Sequence, residues 1–169
     1  MTASVPTRTG ARVLRALRTA PSARDGLELL LAAATLALLA GSLGLGTGLL
    51  VPGAWDLAPA SALSLLLVPA LGEELVFRGA AVPDRTETPR AAFPIAASTL
   101  LFVLWHPVAA YTLAPEARPL LTRPDFLACA ALLGLLCAVL RRRSGSVWPA
   151  VALHWAAVVV WKGWLGGPA

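Results

Sequence analysis

Long uncharged apolar tracts separated by short polar punctuation organise this chain. Five of them approach the roughly 20 residues that a helix needs to cross a hydrocarbon core. They run Leu27–Val51, closed by PGAWD; Leu57 to about Pro83; Ala92–Leu113; Phe126–Leu140; and Val147 to about Leu165. The connections DRTETPR, APEARPLLTRPD and RRRSGS fall between the last four. The pattern predicts an all-α, polytopic transmembrane helix bundle of about five spans, with no internal repeat and no second domain. In the first tract, GSLGLGTG weakens the second half as a helix, because glycine is a poor helix former. Ahead of it, Arg8, Arg12, Arg15 and Arg18 recur at near-threefold spacing. That fits either a basic helix lying on a surface or an unstructured basic tail.

Composition agrees with the pattern. Apolar residues make up 57% of the 169 positions and charged residues 14%, which describes a membrane chain rather than a soluble one. The net charge of +5 comes from clusters at tract boundaries, not from a recognition motif, so nucleic acid is not an expected partner. With the N-terminus cytoplasmic, the early arginines (Arg24 included), Arg85, Arg90 and Arg141–Arg143 all fall inside. Only Arg118, Arg123 and Lys162 then fall outside, beside Glu116 and Asp125. The positive-inside rule favours that orientation. The bias toward Ala, Leu, Gly, Pro and Arg points to a GC-rich bacterial genome and hence to a bacterial plasma membrane. The long basic lead and the lack of a small-residue cleavage site argue against a signal peptide. Cys129 and Cys137 lie about 12 Å apart along one helix, too far to bridge.

Away from the ends of the spans, the only acidic, basic or imidazole side chains are Glu73, Glu74, Arg78, His106 and His154. Each is costly in hydrocarbon unless it faces a partner or a wet cavity. Glu73 is eleven residues from Asp84, and His154 eleven from Arg143, or about 16 Å of helix in each case. His106 is twelve residues past Pro94, about 18 Å. The three therefore stand at matched depth near mid-membrane. Glu74 and Arg78 are spaced i, i+4 and can pair on one face. Glu73 is turned about 100° from Glu74, which lets it point toward His106. Pro107 lacks an N–H and frees a helix carbonyl beside that histidine.

Three motifs stand in order: GEELVFRG at Gly72–Gly79, Phe102-x-x-x-His106, and His154 after the lead-in SGSVWP. Together they resemble the CPBP family, the CAAX prenyl endopeptidase and bacteriocin-processing-like intramembrane proteases, over roughly Leu57 to Gly167. The resemblance implies a helical bundle around a polar cavity, with residues 1–25 a basic cytoplasmic segment and 26–169 the protease-like domain. It implies Glu73, His106 and His154 as catalytic residues: Glu73 activates water, His106 partners it and His154 holds the oxyanion. Glu74 and Arg78 support them. The substrate would be a membrane-associated protein or peptide.

The third motif of that family often reads H-x-x-x-N, whereas Val158 stands four residues after His154 and the chain contains no Asn or Gln. Losing one oxyanion donor costs about 10²–10³ in rate, so a substitute is needed: the Trp155 N–H, a backbone N–H or His106. A mechanism without a cofactor is favoured. Zinc held by Glu73, His106 and His154 is the alternative, although the spacing is not H-E-x-x-H. A proton-coupled transporter and a non-catalytic membrane binding protein are the readings from other classes.

Overall fold

A computed structural model describes residues 8–166; residues 1–7 of the basic segment and 167–169 lie outside the described part. The described residues are helical, without strands. A short helix, α1 (Arg8–Arg18), precedes α2 (Ala23–Thr47), α3 (Pro59–Ala80), α4 (Ala92–Thr112), α5 (Pro124–Ser144) and α6 (Trp148–Trp164). Of these, α2 to α5 are each long and apolar enough to cross a membrane. The 17 residues of α6 span about 25 Å, and α6 packs against α2, α3 and α5. This is the expected bundle of about five spans.

Local chemistry accounts for most boundaries. Ser22 and Asp25 form a reciprocal capping box at the start of α2, satisfying two amides that the first turn leaves unpaired. The glycines of GSLGLGTG do not break α2, which stays helical to Thr47 and ends where Gly48 turns left-handed at φ 69°. In an apolar environment an unwound backbone has no water to bond, so the cost of the glycines is outweighed. The fourth span is longer than its apolar run. Arg141–Arg143 form the last turn of α5 rather than a connection, where cations meet the negative end of the helix dipole.

The path of α3 is irregular. Val68 leaves helical geometry (φ −136°, ψ 117°) immediately before Pro69, as the steric demand of a following proline favours. The backbone has π-type turns over Leu66–Leu71, which contains the break, and over Leu75–Ala80, with a short α-helical Gly72–Glu74 between. The two glutamates thus sit between wide turns.

Of the two readings for the basic lead, Arg8–Arg18 is a helix, and it packs against the bundle. Ala16 is fully buried with Val147, Val151 and Ala70. The Val147 amide donates to the Ala16 carbonyl at 3.0 Å, and the Trp148 indole N–H to the Leu17 carbonyl at 2.9 Å. Arg12 donates to Glu87 at 2.8 Å and to the Ala80 carbonyl at 2.7 Å, while Arg15 lies 3.1 Å from Glu87. On the same end, Arg142 donates to the Asp84 and Thr88 carbonyls, and Arg143 donates from Nε and Nη2 to the two carboxylate oxygens of Glu28, each at 2.6 Å. At the opposite end, the α2–α3 connection is strapped to α6: Gly53 N–H donates to the Trp164 carbonyl at 2.8 Å and Asp56 N–H to that of Gly163 at 3.0 Å. A Cβ at Gly163 would lie 2.5 Å from the Trp55 ring, so only glycine permits this closure.

The docking of α1 is sensitive to acid. For Glu87, burial pulls the pKa upward, but the bonds from Arg12, Asp84 N–H and Arg15 outweigh it and the net shift is downward. For Asp84, burial is again opposed, and overcome, by bonds from Thr86 and by the nearby Arg141. A lowered carboxylate stabilises the fold above its unfolded pKa and loses that contribution as pH falls through the folded value. Limited proteolysis of the α1–α2 connection is therefore expected to accelerate below the ordinary carboxylate range, and Glu87→Gln should give the acid pattern at neutral pH. Equal cleavage at both pH values would show that Glu87 does not hold α1.

Candidate active site

All five ionisable residues expected from the sequence meet in one layer between α3, α4 and α6. Glu74 and Arg78 are both fully buried and pair at 3.0 Å, as the i, i+4 spacing predicts. The other Arg78 arm donates to the Gly134 carbonyl of α5 at 3.0 Å, and its guanidinium stacks 4.2 Å above the Phe102 ring. Glu74 Oε1 also faces His154 Nδ1 at 2.9 Å. A carboxylate accepts and does not donate, so this bond places a proton on Nδ1 and directs Nε2 the other way. Nε2 lies 3.9 Å from Glu73 Oε2, beyond direct hydrogen bonding.

Glu73 is oriented differently from the sequence expectation. Its Oε1 accepts from the Trp105 indole N–H at 3.0 Å, and its other oxygen faces His154 rather than contacting His106. Trp105 and His106 are successive on α4, about 100° apart, so only one of them can face the carboxylate directly. His106 instead donates through Nδ1 to the Phe102 carbonyl at 2.8 Å; a carbonyl only accepts, so Nε2 is left as the acceptor of the neutral ring.

The depths need revision as well. Because Arg141–Arg143 belong to α5 and α6 opens only at Trp148, His154 is six residues into its helix, about 9 Å. Glu73 is seven residues from the end of α3, about 10 Å. Those two are level and nearer the basic end of their helices than the far end, whereas His106 is fourteen residues into α4, about 21 Å, so by this count it is not level with them.

Above this layer is a cavity of about 710 Å³, lined by Glu73, His106 and His154 and otherwise mostly by alanine, leucine and aromatic side chains. Val158 lines it too, so the position where the related motif has Asn faces the cavity with a methyl surface. Of the candidate substitutes for that donor, Trp155 is engaged elsewhere: its indole N–H donates to the Ala62 carbonyl at 2.7 Å. Among the described residues no three His, Cys, Asp or Glu side chains form a group suited to a metal ion. Cys129 and Cys137 are free thiols.

Three positioning residues were not evident from the sequence. Trp105 holds Glu73, and Gly134 makes room for Arg78, since a Cβ there would lie 2.9 Å from the guanidinium and 3.0 Å from Phe102. Phe102, read only as a motif letter, meets Arg78 with its face and sets its ring edge-to-face with both histidines, at 4.9 Å from His106 and 5.6 Å from His154. From there ring contacts continue through Phe126 to Trp161. A tryptophan adjacent to a motif histidine was the one available signal; a glycine inside an apolar helix carries none.

The fold and this layer define a multi-pass membrane protein with a polar site walled into its bundle. A family model described as type II CAAX prenyl endopeptidase Rce1-like matches residues 54–160, more than half of the chain and all three motifs, and the chain belongs to that family of intramembrane endopeptidases. No curated protein and no solved structure matches it.

The fully buried pair and the partly buried Glu73 carboxylate should separate in stability measurements. Arg78→Ala leaves Glu74 buried without its cation and is expected to cost about 3–5 kcal/mol. Glu73→Gln keeps an acceptor for Trp105 and should change stability by less than about 1 kcal/mol. Thermal unfolding in detergent compares them; equal losses would show that Glu73 is as structural as Arg78.

Proposed function

We propose that this chain hydrolyses a peptide bond in a membrane-associated protein or peptide, using Glu73 to activate water. The observation that carries the reading is the Glu73–His154 pair, 3.9 Å apart at the floor of an apolar cavity, with the far side of each group already anchored. Trp105 occupies Oε1 of Glu73, so Oε2 is the oxygen that can take a proton from water. His106 lines the same cavity with Nε2 as its acceptor and orients that water. The water oxygen attacks the carbonyl carbon as its proton passes to Glu73. His154 donates through Nδ1 to Glu74 and through Nε2 to the oxyanion, keeping both protons through the whole cycle as an imidazolium paired with Glu74. Glu73 then returns the proton to the amide nitrogen, the C–N bond breaks, and a carboxylic acid and an amine leave.

Glu74 and Arg78 do no chemistry in this scheme; they fix the orientation of His154. Val158 removes one oxyanion donor, so the site works with His154 as the principal one. The basic end is cytoplasmic by the positive-inside rule, and the membrane is the bacterial plasma membrane.

Cleavage of a peptide library by the purified protein tests this reading. Glu73→Gln is expected to lower kcat by about 10²–10⁴, and chelators are expected to leave the rate unchanged. Val158→Asn restores a donor and should raise kcat by tenfold or more, up to about 10². Cleavage that survives Glu73→Gln, or that appears only with added zinc, would overturn the glutamate mechanism.

A further inference from the structure

The cavity is one-ended. It is lined on α2 from Ala33 outward, on α5 only up to Leu133 and on α6 only from Leu153. No residue of α1 or of the 81–91 connection lines it. Below its floor the bundle is solid: Glu74, Arg78 and Arg141 are fully buried, as are Ala16, Ala70 and Val147 beneath α1. Away from that floor the cavity continues past the helix ends, reaching Leu49 and Leu50 beyond α2, Leu121 between α4 and α5, and Leu165 beyond α6.

The two ends differ in charge. Arg12, Arg15, Arg142 and Arg143 all bind groups at the sealed end. At the other end Arg123 is paired with Asp125 at 2.6 Å. An excess of arginine is retained on the cytoplasmic side during insertion, so the sealed end is the cytoplasmic one.

We infer that the site is entered from the extracytoplasmic face, and that its substrates are apolar peptide segments presented on that side of the membrane. This rests on the proposed peptidase function for the class of substrate, but not for the direction of entry. An apolar lining favours an apolar segment, because burying its side chains contributes about 25 cal/mol per Å². A route from the cytoplasmic end would have to displace α1 together with its bonds to Glu87, Ala80 and Val147 and then pass the Glu74–Arg78 layer.

Thiol labelling tests the direction without needing activity. The full chain would be placed in a bacterial plasma membrane in a Cys129→Ala background, Cys137 being sealed. Single cysteines would replace Ala109 and Ala157, which line the cavity, and Arg85, which is exposed at the basic end. A membrane-impermeant maleimide added to intact cells should label Ala109→Cys and Ala157→Cys, while Arg85→Cys should react only in inside-out vesicles. Cavity cysteines that react only from the side of Arg85→Cys would overturn the inference. So would cavity cysteines that react from neither side yet label after denaturation, since entry would then be from within the bilayer. A variant set that labels as expected but belongs to a protein without peptidase activity would uphold the direction of entry and remove the function.

Discussion

One buried oxygen, Oε1 of Glu74, holds the site together by accepting from both Arg78 and His154. In a medium that solvates charge poorly, a guanidinium and a carboxylate placed apart would each be prohibitive, and placed together they are tolerable only with further bonds. The bundle supplies those bonds from neighbouring helices: a carbonyl from α5, an aromatic face from α4 and an imidazole from α6. Three helices are thereby tied to α3 at one level. This layer fixes their rotations about their own axes together with the apolar cluster of Ala32, Cys137, Leu140, Ala150 and Leu153.

How much of this could be read in advance depended on whether a contact is local. The Glu74–Arg78 pair is four residues apart on one helix, so periodicity alone reveals it. The spans were legible because backbone in hydrocarbon must satisfy itself and therefore needs a minimum length. Trp105 binding Glu73, by contrast, joins residues 32 positions apart, and no spacing rule reports which of two successive side chains turns inward. The depth of His154 was misjudged because three arginines read as a boundary proved to be a helical turn, which moved the start of α6. Whether the basic lead is a helix or a tail also could not be settled from its spacing; its contacts with Ala80, Glu87 and Val147 depend on where three distant segments converge.

The two ends of the bundle differ in construction. At the basic end, side-chain charges cross between α1, the 81–91 connection and α5, and small buried residues fill the space between them. At the other end, main-chain bonds from residues 51–56 to the end of α6 and a tryptophan on a glycine do the joining. A polar, charge-laced lid and a main-chain strap respond to different conditions: the first to pH and salt, the second to neither.

The series of rings from Phe102 through His106 and Phe126 to Trp161 has a mechanical consequence. Each ring meets the next at 4.9 to 5.7 Å between centroids, which is van der Waals contact for aromatic groups. Packed interiors pass displacement on instead of absorbing it. Trp161 and His106 both line the cavity, with Phe126 in ring contact with each, so a guest that presses on Trp161 bears on His106 through Phe126. The cavity wall is thus a mechanical path as well as a container: an empty site and an occupied one need not hold the His106 imidazole at the same angle.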